Sequence, residues 1–299
     1  MENMKWAHRL RENLKEDKIL KKISVTYDET EWLYAPDEIY SNVDGLQRKL
    51  QIFVPYRGEW EEEIRYPVVL YIPGAAWHRQ EMYNDIPKIS KLAECGIVVA
   101  MVQHRESDIA LFPAPIEDLH RAANYLIENA DKFHIDPLQL FVAGHSAGAH
   151  IALMTAFSKA NGLWVPEMVG MKDYKISGVI AQAAPSDLIL CQKEGLPPWM
   201  KKEPSAELLG VEYIDENSEI AKKASCAAYV KDEVVLPPVL LLHGDKDGVV
   251  SVEHSRKLYK LLKDKKKNVV YYELEDVNHS GNAFWSKEVL KIMRDFCYD

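Results

Sequence analysis

Apolar residues along this chain come in short blocks, and the blocks follow two different rhythms. Residues 50–55 (LQIFVP), 67–73 (PVVLYIP), 97–103 (IVVAMVQ), 139–144 (QLFVAG), 177–183 (SGVIAQA), 238–243 (PVLLLH) and 268–274 (NVVYYEL) are brief and rich in Val and Ile. Several are apolar without alternation, which predicts strands covered on both faces of a sheet; their length and β-branched content favour strand over buried helix. Between them, Ile116, Leu119, Ala123, Leu126, Ile127 and Ala130 recur at steps of three and four, the period of one helical face. Pro113 and Pro115 precede that helix and Asp136-Pro137 follows it as a stop. Similar helical patterns run over 252–262 and 283–296. Strands alternating with helices predict an α/β fold, a mostly parallel sheet flanked by helices, with ligands bound beyond the carboxyl ends of the strands.

Two segments depart from this rhythm inside what reads as a single domain over 1–299. In residues 1–22, Trp6, Leu10, Leu14 and Ile19 share a helical face, so this stretch is expected to pack on the body as a helix and to cap the mouth of the site. Over 184–236 the pattern is interrupted by Pro185, Pro197, Pro198 and Pro204 and by Trp199-Met200; it reads as a partly helical insertion, a lid or substrate wall.

Charge narrows the choice of partners. With 37 Lys+Arg against 46 Asp+Glu, the formal net charge is −9, which speaks against a nucleic-acid or anionic-membrane surface. The one basic run, Lys265-Lys266-Lys267, reads as a solvated helix end. No apolar stretch is long enough to span a membrane, and the first residues lack the apolar core of a secretory signal. Cys95, Cys191, Cys226 and Cys297 are scattered without a CxxC pair, as in reduced thiols rather than a disulfide frame or zinc site. A cytoplasmic protein with no metal is expected, and self-association is compatible with the chain.

The strongest local motif is Gly144-His145-Ser146-Ala147-Gly148, a G-x-S-x-G directly after the block ending at 144 and before an apolar helical run. A serine on a sharp strand-to-helix turn projects its hydroxyl clear of the sheet, with small neighbours allowing the tight fold and the helix N-terminus favouring developing negative charge. Such a hydroxyl needs a base. His279, in the polar loop after 268–274, stands at a strand end as required; His145 and His150 lie too near Ser146 in sequence, His150 reading as a packed or capping residue. His243 reads as a residue ordering its own loop, and His78 and His104, which also follow strands, are candidates to line the pocket. The base needs a carboxylate partner. His243-Gly244-Asp245-Lys246-Asp247 supplies Asp247, with Asp245 as a turn former. The chain order Ser146, Asp247, His279 is that of α/β-hydrolase triads. Oxyanion donors are expected from the N–H groups of Ala147 and of Ala75 and Ala76, in the loop after 67–73. Trp77, His78, Leu188 and Trp199 are candidate substrate-wall residues.

Together these residues resemble the α/β-hydrolase superfamily, esterase branch, similar to hormone-sensitive-lipase-like and bacterial feruloyl-esterase-like proteins. The resemblance covers residues 47–296, with FPAPIEDL (112–119), HIDPLQLFVAGHSAGAHIAL (134–153) and LLHGDKDGVVSVEHS (241–255) as its signatures. It implies an α/β-hydrolase fold with a small cap or insertion, Ser146 as nucleophile, Asp247 as acid, His279 as base, and a serine carboxylesterase acting on small-molecule acyl esters without a cofactor. The oxyanion loop departs from the usual HGGGW of that branch, reading Pro73-Gly74-Ala75-Ala76-Trp77. The added methyl groups narrow the hole and bear on which esters fit. An amide hydrolase of the kynurenine-formamidase type and a non-catalytic ligand-binding homologue are the alternatives, separated by turnover of formamides and by binding without turnover.

Overall fold

Each apolar block is a strand in the computed structural model, which describes residues 22–26, 29–43, 45–57, 64–166, 173–194 and 202–299. They form β2 (Leu46–Tyr56), β3 (Tyr66–Ile72), β4 (Val98–Val102), β5 (Ile135–His145), β6 (Gly178–Gln182), β7 (Val239–Gly244) and β8 (Val269–Leu274). One further strand, β1 (Glu31–Val43), precedes them. The sheet order is β1-β2-β4-β3-β5-β6-β7-β8. β2 pairs antiparallel with β1 and β4, and the pairs from β4 through β8 are parallel.

The helices are α1 (Ile86–Ala93), α2 (Ala114–Glu128), α3 (Ala147–Ala160), α4 (Leu188–Glu194), α5 (Pro204–Leu209), α6 (Glu219–Lys223), α7 (Glu253–Asp264) and α8 (Lys287–Tyr298). Two apolar clusters cover the two faces of the sheet. Val68, Leu70 and Ile72 of β3 point into the cluster built with α2, α3 and α7, through Leu119, Phe157 and Leu262. Val69 and Tyr71 point the other way, towards Ile89 and Leu92 of α1 and Val289 and Met293 of α8. β3, apolar at successive positions, is therefore sandwiched between helices, as its sequence requires. α3 is buried along its length from Ala147 to Ser158, fitting a helix that is apolar nearly all round.

The expected helix over 283–296 is split into a short 3-10 turn, Asn282–Trp285, and α8. The helix expected over 1–22 falls on residues outside those described, residue 22 aside. Between β6 and β7 the described residues form α4, α5, α6 and a 3-10 turn at Cys226–Tyr229. Cys95, Cys226 and Cys297 are free thiols. Among the described residues, no helix is long and apolar enough to cross a membrane.

Buried histidines make this fold acid-sensitive. His120 Nδ1 meets the Tyr174 hydroxyl at 2.5 Å, and His150 is buried between an indole and a carbonyl. Burial, the dominant cause, pushes His120 down to about 3 and His150 down to about 4, against about 6.5 in an unfolded chain. Below about pH 6.5 the unfolded chain thus binds protons that the native state refuses, so stability falls as pH drops and stops falling only below the folded values. At pH 4.5 this amounts to roughly 2–3 kcal/mol per histidine. Urea midpoints are expected to fall between pH 7 and pH 4.5, and His120→Gln to shrink that fall; equal pH dependence in the two proteins would refute the contribution of His120.

Candidate active site

The sheet brings the sequence-marked loops to one rim. β3 and β5 are neighbours, and the chain leaves β3 towards β4 on one side and β5 towards β6 on the other, the arrangement that opens a crevice at strand carboxyl ends. Ile72 pairs with Gly144, which sets the loop after β3 beside the turn after β5. Gly244 pairs with Leu274, which sets the loop carrying Asp247 beside the loop carrying His279.

Ser146 sits between β5 and α3 with φ 55° and ψ −127°, a strained conformation for a residue with a side chain. Its N–H donates to the Gln182 carbonyl at 2.8 Å, and its carbonyl accepts from Ala149 and His150 at 2.9 and 3.1 Å. The flanking glycines are required by close approach. A Cβ at Gly148 would stand 2.1 Å from the Ile72 carbonyl oxygen, and one at Gly144 would stand 2.4 Å from the Gly148 carbonyl carbon.

His279 Nε2 lies 3.0 Å from Ser146 Oγ, and His279 Nδ1 lies 2.7 Å from Asp247 Oδ2. An ionised carboxylate only accepts, so Nδ1 carries the proton and Nε2 faces the serine hydroxyl as an acceptor. Asp247 Oδ1 accepts the N–H groups of Val249 and Val250, both at 2.9 Å, closing an Asx-type turn. Its Oδ2 also accepts from His243 Nε2 at 3.1 Å. Burial pushes the Asp247 carboxyl up, but the hydrogen bonds from His243 and His279, the neighbouring imidazole charge and the turn amide outweigh it and hold the group well below the usual carboxylate range. His243 is itself fixed: Nε2–H is shared with the Val250 carbonyl at 3.0 Å, and Nδ1 accepts from the Ser255 hydroxyl at 2.7 Å. It orders its loop, and in doing so gives the carboxylate a second imidazole donor.

His145 lines the same cleft and donates Nε2–H to the His279 carbonyl at 2.7 Å, which pins the loop bearing the imidazole. Burial foremost, then the nearby His279, lowers His145 to about 4, consistent with a neutral donor. Asn278 closes the same loop from the other side, its Oδ1 accepting from the N–H groups of His279 (2.7 Å) and Gly248 (3.1 Å).

Ser146, His279, Ala75 and Ala76 open on one cleft of about 450 Å³, lined also by Tyr71, Asp85, Lys88, Val249, Phe284 and Trp285. Ala147 follows Ser146 as the first residue of α3, so its N–H belongs to the helix N-terminus facing that cleft. The substrate-wall expectations fare differently. Trp77 is 4% exposed and Leu188 is fully buried; both are core residues, because an indole and an isobutyl group next to a packed helix find more apolar contact inward than towards the cleft. His78 turns to the segment between β6 and β7, with Nε2 3.2 Å from Glu207 and Nδ1 3.1 Å from the Ser107 hydroxyl. His104 is buried with Nδ1 against the Arg105 carbonyl at 2.8 Å. Trp199 lies outside the described residues. Among the described residues, no lining residue comes from 184–236.

The walls that sequence reading missed are thus Tyr71, Asp85, Lys88, Val249, Phe284 and Trp285. Two signals were available: Asp85-Ile86-Pro87 is a helix start, and Phe284-Trp285 lies just beyond His279 on the loop already chosen.

Comparison with known proteins fits this geometry. The BD-FAE family model matches residues 50–262, most of the chain and all but one of the site loops. The chain belongs to the BD-FAE family. Its fold is that of the α/β-hydrolase esterases. Esterase LipQ of Mycobacterium tuberculosis is 30% identical over 242 residues, 78% of this chain and 55% of LipQ. Esterase LipC of the same organism is 27% identical over 216 residues, 71% of this chain and 52% of LipC. The chain therefore spans about half the length of the curated relatives it matches. Among solved structures, a truncated carbohydrate esterase from gut microbiota superimposes with a TM-score of 0.78 at 23% identity, over 91% of this chain and 97% of that one. The esterase Est2 of Thermogutta terrifontis gives 0.68 at 21% identity, over 90% and 92% of the two chains. The loop carrying His279 lies beyond the matched segment, and the sheet register sets it beside the loop carrying Asp247.

Proposed function

We propose that this protein is a serine carboxylesterase that hydrolyses small or medium acyl esters through an acyl-enzyme intermediate. The observation that carries this reading is the hydrogen-bonded line from Ser146 Oγ through the His279 imidazole to Asp247, at 3.0 and 2.7 Å. Ser146 Oγ attacks the ester carbonyl while His279 Nε2 takes its proton, and Asp247 stabilises the resulting imidazolium. The carbonyl electron pair moves to oxygen, where the N–H groups of Ala147 and of Ala75 and Ala76 receive it. Collapse expels the alkoxide, which takes the proton back from His279. Water, deprotonated by the same nitrogen, then releases the acid and restores Ser146. The route requires no metal or organic cofactor.

The cleft also argues for the alcohol it accepts. Lys88 Nζ and Asp85 Oδ1 pair at 2.6 Å on its wall. Asp85 is the N-cap residue of α1, yet its carboxylate caps no helix amide. A neutral pair with spare donors and acceptors suits hydroxyl groups, beside the aromatic surface of Phe284 and Trp285. The similarity to a carbohydrate esterase points the same way.

The test is a panel of nitrophenyl acyl esters, acetylated sugars and N-formyl amines with the purified chain. Ester turnover with Ser146 acylated in the steady state is expected. Formamide turnover without ester turnover would replace the reading with that of an amide hydrolase, and binding without turnover would replace it with that of a non-catalytic homologue.

A further inference from the structure

The turn that offers Ala75 and Ala76 to the substrate is strained and cannot hold itself. Ala76 has φ 49° and Trp77 φ 59°, positive values that cost residues with side chains energy and persist only when their surroundings impose them. Pro73, at the entrance to the turn, has no N–H and no polar side chain with which to tie it down. Backbone contacts hold part of it: His78 N–H donates to the Ala75 carbonyl at 2.8 Å, and Ser107 N–H to the Trp77 carbonyl at 2.9 Å.

A further tie runs through a side chain that the triad does not use. Trp77 Nε1–H donates to His150 Nδ1 at 3.2 Å, with the rings edge-on at 5.3 Å between centroids. His150 Nε2–H donates in turn to the Ala224 carbonyl at 2.7 Å. An indole N–H can only donate and a carbonyl can only accept, so the neutral imidazole is held in one tautomer and one orientation. His150 is 1% exposed and lies one helical turn beyond Ser146 on α3, its own N–H bonded to the Ser146 carbonyl at 3.1 Å. Ala224 caps α6, within the segment between β6 and β7. One imidazole therefore joins the strained turn, the helix that carries the serine, and the α6 segment.

We infer that His150 is a positioning residue, which fixes the Ala75–Ala76 amides relative to Ser146 Oγ and makes their alignment depend on the seating of the α6 segment. The inference rests on the esterase reading above, since the amides it aligns are that reading's oxyanion donors. His150 touches no reacting atom; it acts through Trp77.

Trp77→Phe, His150→Leu and His150→Gln in the full chain test it. Each protein is normalised to its active fraction by burst titration, then assayed for kcat and KM with nitrophenyl acetate and for inhibition by an aryl trifluoromethyl ketone. That ketone reports the oxyanion site: Ser146 Oγ bonds to its carbonyl carbon, the serine proton passes to His279, and the carbonyl electron pair moves to oxygen. Trp77→Phe and His150→Leu are expected to lower kcat about ten- to a hundredfold, less than outright removal of a donor. KM should stay within about twofold, and the ketone Ki should rise by the factor that kcat/KM falls. His150→Gln, which keeps an acceptor and a donor, should recover part of both. Variants with unchanged kcat, or with lower kcat and an unchanged ketone Ki, overturn the inference and leave the esterase reading standing. A wild type that turns over no ester overturns both. If His150→Leu does not fold, Trp77→Phe, which retains an aromatic ring in the core, decides alone.

Discussion

Ser146→Ala is expected to lower kcat for a short-chain nitrophenyl ester by about 10⁴- to 10⁶-fold while leaving a folded protein with nearly unchanged KM. The size follows from what is lost. Without Oγ there is no acyl-enzyme, and water must attack with only the oxyanion donors and His279 to assist it. The fold should survive because Oγ contributes a contact to His279 rather than to the core. The φ of 55° strains alanine about as much as serine, and the backbone bonds of residue 146 to Gln182, Ala149 and His150 do not involve the side chain. Initial rates, together with urea unfolding, check both halves. Turnover within tenfold of wild type would place the nucleophile elsewhere and leave the 3.0 Å contact between Ser146 and His279 without a catalytic meaning.

How much of this was legible in the chain depends on which physical signal each feature carries. Strands β2 to β7 could be read because burial on both faces leaves continuous apolar blocks, and β8, a largely exposed edge strand, because it is rich in Val and Tyr. β1 could not: it is an antiparallel edge strand with charges along it, Pro36 inside it, and register shifts around Asp37, whose φ is 54°. Ser146, Asp247 and His279 were legible because each follows a strand and offers a side chain that reaction chemistry needs, and parallel pairing brings strand ends together however far apart they lie in sequence. The walls of the cleft carry no such signal. Trp77 sits beside the oxyanion turn in sequence, yet its ring goes inward to His150, while Tyr71, which reads as one more apolar strand residue, lines the cleft. Proximity along the chain predicts which loop forms the site but not which way an aromatic ring turns, since that is settled by packing on elements distant in sequence. Asp85 and Lys88 were missed for the converse reason: an ion pair three residues apart at a helix start looks like any solvated surface pair until the cleft beside it is seen.

Asp247→Asn is expected to lower kcat/KM by about 10⁴-fold and to destabilise the protein as well, because this carboxylate has more to satisfy than one imidazole. Its Oδ2 accepts from both His279 Nδ1 and His243 Nε2, and its Oδ1 accepts from the Val249 and Val250 amides. Asparagine offers one acceptor oxygen and one donor nitrogen. If its NH2 takes the place of Oδ2, it opposes the proton on each imidazole. His279 can then relieve the conflict by moving its proton to Nε2, the nitrogen that must stay free to accept from Ser146. If the NH2 takes the place of Oδ1, it faces two backbone N–H groups, and the turn that carries residue 247 loses its closure. Either orientation leaves buried donors unpaired, at about 1–3 kcal/mol of stability. The two orientations can be told apart. The first lowers activity with the turn intact, whereas the second also loosens the 245–250 loop, read as faster amide exchange at Val249 and Val250. A loss of less than tenfold in kcat/KM, with both amides still protected, would show that His279 does not depend on this carboxylate for its tautomer, and Asp247 would then be a residue of the turn alone.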